Sequence, residues 1–242
     1  MRRGILLVTA FCVSFAVLWL LFCNCMEAMT GLHAFRPVVN VMTTTAQDKD
    51  SRMTFPVEVP NTCLVAEQIV MYEGAYLEEP QSDEVVSVAA LLVRNTGQYG
   101  IVCATVILEA EDTVFIFEAD TIPPGEAVLV LEKNKRAFGP EKFIACTGSA
   151  VSDTSDWDEA DAVEIACVDM GTVTVSNRTD KVLSGIYLYY KNYILDPGFY
   201  VGGHSHMYLI ERLEPGQKIY INPVYYAKGY SRFARIDITE TT

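Results

Sequence analysis

With 242 residues, the chain is long enough to form one or two domains. Half of the residues are apolar and 20% are charged, which supports a hydrophobic core and excludes an intrinsically disordered chain. The formal net charge of −13 argues against a nucleic-acid partner, because contact with phosphates requires a basic face.

The first 26 residues have the composition of a membrane-directing segment. Two arginines precede an apolar run that continues to Met26, and about 20 apolar residues are enough for a helix to cross the hydrocarbon core. Residues 1–26 are therefore predicted to be an uncleaved signal-anchor. A cleaved signal peptide and a lipid anchor on Cys23 or Cys25 are the alternatives. Because the positive charges come first, the N-terminus is predicted to be cytoplasmic and the remaining chain to lie outside the cell membrane.

Residues 27–60 are predicted to form a stalk, because the segment is largely polar and is interrupted by prolines. Residues 61–150 contain short β-rich segments that alternate with turn signals, such as those beginning at Asn95 and Pro123. No amphipathic helical pattern competes with this one. The pattern predicts a first β-sandwich over residues 61–150.

The same order of strands and turns recurs in residues 163–242. Asn177 follows Asn95 by 82 positions, whereas Gly216 follows Gly125 by 91, so the second copy is nine residues longer. The extra length falls around Asp196, a natural site for a longer hairpin. Two divergent copies of one β-sandwich are predicted, with residues 151–162 as an acidic linker. Chance similarity between two β-rich segments is the alternative.

Several features of the second copy carry a resemblance to known modules: a strand ending in Asn177, a Leu188-Tyr189 strand core and a Pro215-Gly216 turn. Over residues 165–242 these features resemble the FxLYD-type modules of bacterial cell-surface proteins. The Tyr-Tyr-Lys, Tyr-Val-Gly-Gly and Gly-Tyr-Ser-Arg stretches are similar to those of a wider set of membrane-anchored proteins of Gram-positive gut bacteria. The resemblance implies an immunoglobulin-like β-sandwich. Together with the repeat and the apolar N-terminal segment, it leads to a predicted all-β fold of two tandem immunoglobulin-like β-sandwich domains behind one N-terminal transmembrane helix. It implies no known activity.

A tyrosine-rich hairpin in the second copy is the predicted partner-binding surface. On an extended strand Tyr187 and Tyr189 share one face, and an exposed tyrosine pair is a suitable recognition surface. His204 and His206 would also share a face and could supply half of a zinc or copper site. The predicted site residues are Tyr187, Tyr189, Tyr200, His204 and His206. Packing against a partner sheet, or plain solvent exposure for the histidines, is the alternative.

The acidic linker contains the best candidate ion site. Asp153, Asp156, Asp158 and Asp161 are spaced as oxygen ligands that could surround a calcium ion. The segment lacks the glycine and the distal glutamate of an EF-hand loop. A solvated acidic linker is the alternative, and no other cofactor is predicted.

Four cysteines follow the membrane segment: Cys63, Cys103, Cys146 and Cys167. An even number permits two disulfides in three connectivities. A Cys146–Cys167 bridge is favoured, because it would close the segment that joins the two copies. The oxidation state of all four remains open at this point.

The chain contains no organised catalytic motif. Walker loops, Rossmann glycine fingerprints and the Gly-x-Ser-x-Gly turn are all missing from the sequence. The predicted function is therefore a non-enzymatic extracytoplasmic interaction or structural module of the bacterial cell envelope, which binds a protein or a cell-wall component. A surface protein that binds a small ligand or a divalent ion is the alternative, and an envelope hydrolase is a third class.

Overall fold

The computed structural model describes residues 53–79, 84–154 and 161–241. Within these ranges the chain is all-β, as predicted, and belongs to one compact unit, Val38–Thr242. The signal-anchor, most of the stalk and residues 155–160 of the acidic linker lie outside the described residues. Among the residues that are described, no helix is long and apolar enough to cross a membrane.

The described residues form thirteen strands in the following order. They are β1 (Val57–Glu58), β2 (Leu64–Ala75), β3 (Glu84–Asn95), β4 (Gly100–Ala110), β5 (Val114–Ile122), β6 (Ala127–Leu131), β7 (Phe143–Asp153), β8 (Val163–Cys167), β9 (Val173–Asn177), β10 (Leu183–Ile194), β11 (Phe199–Leu213), β12 (Lys218–Ile221) and β13 (Ser231–Thr241).

Each half of the chain packs one group of three strands on another in the same order. In the first half β2-β3-β6 faces β5-β4-β7, and in the second half β8-β9-β12 faces β11-β10-β13. Alternation along the strands places the core: on β4, Val106 and Leu108 are buried whereas Thr105 and Ile107 are half-exposed. We call these two halves the first and second sandwich. The predicted linker is short, because β7 continues to Asp153 and β8 begins at Val163.

A buried asparagine at the same place in each sandwich gives the repeat a common geometry. The Asn95 side-chain amide donates to the carbonyl oxygens of Tyr99 and Ile122, at 2.8 and 3.1 Å. The Asn177 amide donates to those of Lys181 and Leu213, at 2.7 and 3.2 Å. Both asparagines therefore fasten the end of one strand to the carbonyls that precede the Pro-Gly turn.

The two sandwiches are joined through one sheet. Tyr200 and Val201 of β11 pair in parallel with Val128 and Leu129 of β6, which produces a seven-stranded sheet in the order β1-β2-β3-β6-β11-β10-β13. The joining strand belongs to the β10–β11 hairpin, whose turn contains Asp196. The extra length of the second copy is therefore the part that reaches the first sandwich.

The two sandwiches lie on opposite faces of the seven-stranded sheet, as the alternation along β10 shows. Ile186 and Leu188 belong to the core of the second sandwich. Tyr193, whose side chain points to the other face, packs against the core of the first. By the same alternation, Tyr187 and Tyr189 share the face of Tyr193.

Candidate functional site

An outward sheet surface in the second sandwich carries the predicted tyrosine pair. Tyr187 lies between Leu209 and Asp237 on the neighbouring strands, and Tyr189 lies between Met207 and Arg235. Met207 and Leu209 are 52% and 44% exposed. We call this surface the tyrosine face; it consists of Tyr187, Tyr189, Met207, Leu209, Arg235 and Asp237.

Arg235 holds the Tyr189 side of the tyrosine face in place. Its guanidinium lies 5.7 Å from the centre of the Tyr189 ring, and it donates to the carboxylates of Asp153 at 2.9 Å and Asp237 at 2.5 Å. Burial raises the pKa of the Tyr189 hydroxyl, and the nearby carboxylate of Asp237 raises it further. Tyr189 is therefore half-covered and held in place, with one edge available to a partner.

The predicted calcium ligands are not gathered in the part of the chain that the structure describes. The Asp153 carboxylate accepts a hydrogen bond from Arg235, and Asp161 is exposed. Asp156 and Asp158 lie outside the described residues. Residues 53–79, 84–154 and 161–241 contain no group of three His, Cys, Asp or Glu side chains that could hold a metal ion.

Tyr200 does not belong to the exposed surface, which corrects the prediction. It is 1% exposed and packs in the core of the first sandwich, with its ring centre 5.1 Å from that of Tyr193. The reason is the parallel pairing of β11 with β6, which carries this part of the hairpin into the first sandwich. A large ring at a sheet junction stabilises the fold by burial.

The two predicted histidines contact different groups. His204 Nδ1 lies 3.3 Å from Asp120 Oδ2, whereas the His206 ring packs between Tyr190 and Tyr225, with ring centres 5.5 and 5.2 Å away. His206 is thus held by aromatic packing, and its pKa is lowered by burial. His204 belongs to a polar group described next.

A partly buried polar group, which we call the polar junction, lies where the two sandwiches meet. It consists of Glu78, Asp120, Lys191 and His204. The Lys191 side chain is 0% exposed, and its ammonium donates to the carbonyl oxygens of Asp120 and Gly203, both at 2.5 Å. Its nitrogen is also 3.7 Å from Asp120 Oδ1. Lys191 therefore ties β5 of the first sandwich to β10 and β11 of the second.

Glu78 completes the junction at the point where β6 and β11 diverge. Its carboxylate accepts hydrogen bonds from the backbone N–H groups of Leu131 and Gly203, both at 2.8 Å to Oε1. A Cβ at position 203 would collide with the Glu118 carbonyl oxygen, so the close approach of β5 and β11 requires glycine there. Burial raises the pKa of Glu78, against the effect of these backbone donors.

Burial and neighbouring charges act in opposite directions on the pKa values of the junction residues. Burial lowers the pKa of Lys191, whereas the charges of Asp120 and Glu78 raise it. Burial opposes the ionisation of Asp120, but its contact with His204 and the charge of Lys191 outweigh this effect and hold the pKa well below its usual value. The hydrogen bond with Asp120 raises the pKa of His204. The arrangement favours the charged form of Asp120 beside Lys191 and His204, which suits a group that holds the two sandwiches together.

Nothing in the sequence pattern singled out Glu78 or Asp120, because they lie 42 residues apart and meet only in the fold. Lys191 did leave a signal. It ends the Tyr189-Tyr190-Lys191 stretch and is the charged residue of a strand that is rich in aromatic and apolar side chains. A lysine at such a position is seldom buried without a partner.

Substituting Asp120 by Asn is expected to lower the pKa of His204. In the folded chain this pKa is raised, so the stability contributed by the pair is present below the unfolded pKa of His204 and is lost as pH rises through the folded value. The pH dependence that Asp120 contributes has the opposite direction. Its pKa is lowered in the folded chain, so the stability it contributes is present above its unfolded pKa and is lost as pH falls through the folded value. NMR titration of the imidazole resonances measures the shift, and a smaller response is expected from His206. An unchanged His204 titration would contradict the contact.

The predicted disulfide between Cys146 and Cys167 is absent from the structure. Cys146 is opposite Leu108 in the first sandwich, whereas Cys167 is in the second, with its sulfur 2.7 Å from the Tyr226 hydroxyl. The four cysteines of the described residues are free thiols. A bridge that closes the segment between the two halves does not form here, because each of these two thiols packs against the core of its own sandwich.

Comparisons with known protein families and with curated proteins found no match. The resemblance of residues 165–242 to FxLYD-type modules therefore stays a prediction.

Proposed function

We propose that the chain is a non-enzymatic, extracytoplasmic interaction module of the bacterial cell envelope, which binds a protein through the tyrosine face. Residues 1–26 would anchor it as a single-pass membrane protein with a cytoplasmic N-terminus. The observation that carries the proposal is the exposure of Met207 and Leu209 beside two tyrosines on one sheet surface. Apolar side chains grouped in this way favour a docking surface over simple solubility.

The proposed architecture is two tandem immunoglobulin-like sandwiches. The repeated strand order and the equivalent bonds of Asn95 and Asn177 support common ancestry of the halves. The shared sheet and the buried Lys191 make the pair stiff. A stiff pair would hold the tyrosine face at a fixed orientation relative to the first sandwich, which lowers the entropic cost of binding.

The chemistry of the tyrosine face fits a protein better than a sugar. Its centre is apolar and aromatic, and its rim carries the charged side chains of Arg235, Asp237 and Glu211. An apolar centre with a charged rim is the usual composition of protein–protein interfaces. The net charge of −13 favours partners with a basic surface.

Capture of a partner from native membranes tests the proposal. We expect the full-length chain in detergent to retain a stoichiometric protein partner. We expect the Met207→Thr/Leu209→Thr variant to retain at least about tenfold less of that partner. Threonine keeps strand propensity, so the fold is preserved. The matched control is Tyr220→Thr/Val224→Thr, which removes side chains that are 68% and 64% exposed elsewhere. Equal capture by both variants, or retention of cell-wall glycan alone, would overturn the proposal.

A further inference from the structure

The ion pairs between the two sandwiches, whose whole contact we call the joint, share one polarity. Among the described residues, each pair that crosses the joint has its cation on the second sandwich and its carboxylate on the first. The cations are those of Lys191, His204, Arg232 and Arg235, and the carboxylates are those of Asp120, Glu126 and Asp153. Arginine stays charged at any pH near neutrality, and the Lys191 ammonium is held by two carbonyl oxygens. The imidazole of His204 is therefore the cation of the joint that responds to mild changes in pH.

An irregular part of β11 lies at the centre of the joint. β10 and β11 pair through Tyr190 with His206 and then through Asn192 with Val201. Between these two pairs one residue of β10 stands opposite residues 202–205 of β11, which we call the bulge. A bulge bends its strand and re-aims side chains away from the regular ladder. Here the bend directs backbone N–H groups and a histidine toward the first sandwich.

Two carboxylates of the first sandwich hold the bulge. The Gly203 N–H donates to Glu78 Oε1 at 2.8 Å, and the Ser205 N–H donates to Asp120 Oδ1 at 2.9 Å. His204 stands between these two anchored residues, with Nδ1 3.3 Å from Asp120 Oδ2. The His204 side chain is 50% exposed, so it exchanges protons with solvent while the joint stays closed.

Charged groups face His204 from each element packed around it. Asp120 on β5 is in contact, whereas Glu78 beyond the end of β2 and Lys191 on β10 act at longer range. Glu118, also on β5, is paired with a lysine of its own sandwich at 2.7 Å. Two carboxylates therefore favour the charged imidazole, and one ammonium opposes it.

Proton binding favours the joined state at two of these positions. The hydrogen bond with Asp120 raises the pKa of His204. Burial raises the pKa of Glu78, whose carboxylate accepts hydrogen bonds from neutral backbone N–H groups. The stability that each group contributes is present below its unfolded pKa and is lost as pH rises through its folded pKa. The pKa of Asp120 is lowered, so its opposite effect falls in strongly acidic solution. The joint is therefore strengthened as pH falls from about 8 to about 5.

We propose that the joint is a pH-sensitive contact, in which proton uptake at His204, supported by Glu78, tightens the hold of the first sandwich on the bulge in mild acid. The bulge ends two residues before Met207 of the tyrosine face, so the orientation of that face relative to the first sandwich is fixed most firmly under these conditions. The proposal concerns the joint and does not depend on what the tyrosine face binds.

Hydrogen–deuterium exchange measured by mass spectrometry on the full-length chain in detergent tests the proposal. The amides of Gly203 and Ser205 report on the bulge, and those of β4 report on the core of the first sandwich. Protection is compared near pH 6 and near pH 8, after correction for the intrinsic pH dependence of exchange. We expect the bulge amides to be at least about threefold better protected at the lower pH, the effect of a partly exposed ion pair. Protection of the β4 amides should change less.

Three substitutions identify the groups that bind the proton. His204→Gln removes the change of charge and should lose most of the pH dependence. The matched control is His206→Gln, in aromatic packing two residues away, which should keep the pH dependence of the unmodified chain. Glu78→Gln is neutral at every pH and should raise the protection near pH 8. Thermal melts establish that all three variants are folded. Equal protection of the unmodified chain at both pH values, or a pH dependence that persists in His204→Gln, would overturn the proposal.

Discussion

Replacement of Lys191 by Met is expected to lower the free energy of unfolding by about 3–5 kcal/mol, the usual cost of breaking a buried charge contact. The substitution keeps the length of the side chain but removes its ammonium group. The carbonyl oxygens of Asp120 and Gly203 then lose a donor, the Gly203 oxygen in a buried hydrogen bond, and the Asp120 carboxylate loses a nearby counter-charge. Chemical denaturation near neutral pH measures the change.

A surface lysine provides the matched control. The Lys133 ammonium is 2.7 Å from a carboxylate oxygen of Glu118, but the two side chains are 51% and 36% exposed. Solvent screening limits such a pair to about 1 kcal/mol or less, so Lys133→Met should change stability little. If both substitutions had the same small effect, Lys191 would not be the tie between the sandwiches.

The all-β class and the recurring pattern of strands and turns were predictable from the sequence, because turn signals mark the ends of strands locally. Asn95 and Asn177 each end a strand before a turn, and in the structure both donate to carbonyl oxygens at equivalent positions of their sandwiches. The longer hairpin around Asp196 was predictable for the same reason. Tyr187 and Tyr189 were correctly placed on one face, because alternation along a strand depends only on local geometry.

The joining of the two sandwiches could not be predicted in this way. The parallel contact between β6 and β11 consists of two residue pairs, Val128 with Tyr200 and Leu129 with Val201. Nothing in either segment specifies the other, because both are ordinary apolar β-sequences. Tyr200 was therefore placed on the surface with the other tyrosines, although it is buried. The polar junction was missed for a related reason, since its members come from four separate segments.

Replacement of Asn95 by Asp is the second substitution with a large expected effect, and Asn177→Asp should match it. Each asparagine is almost fully buried, at 0% and 2% exposure, and its amide nitrogen donates to three carbonyl oxygens. A carboxylate of the same shape has no donor and would face those oxygens. We expect each variant to lose about 3–5 kcal/mol of stability at neutral pH, the cost of an uncompensated buried charge.

The pH dependence distinguishes this cause from a simple loss of packing. A carboxyl group that faces carbonyl oxygens has a raised pKa in the folded state, so the folded chain binds its proton more tightly than the unfolded chain. The loss relative to the unmodified chain should shrink as pH falls toward about 4, where the unfolded carboxyl group also becomes protonated. Asn222→Asp, at an exposed position, should show no such change.

Because the sandwiches share a sheet, Asn95→Asp and Asn177→Asp should lower one common unfolding transition. Two separate transitions, each responding to one substitution, would show that the halves unfold independently.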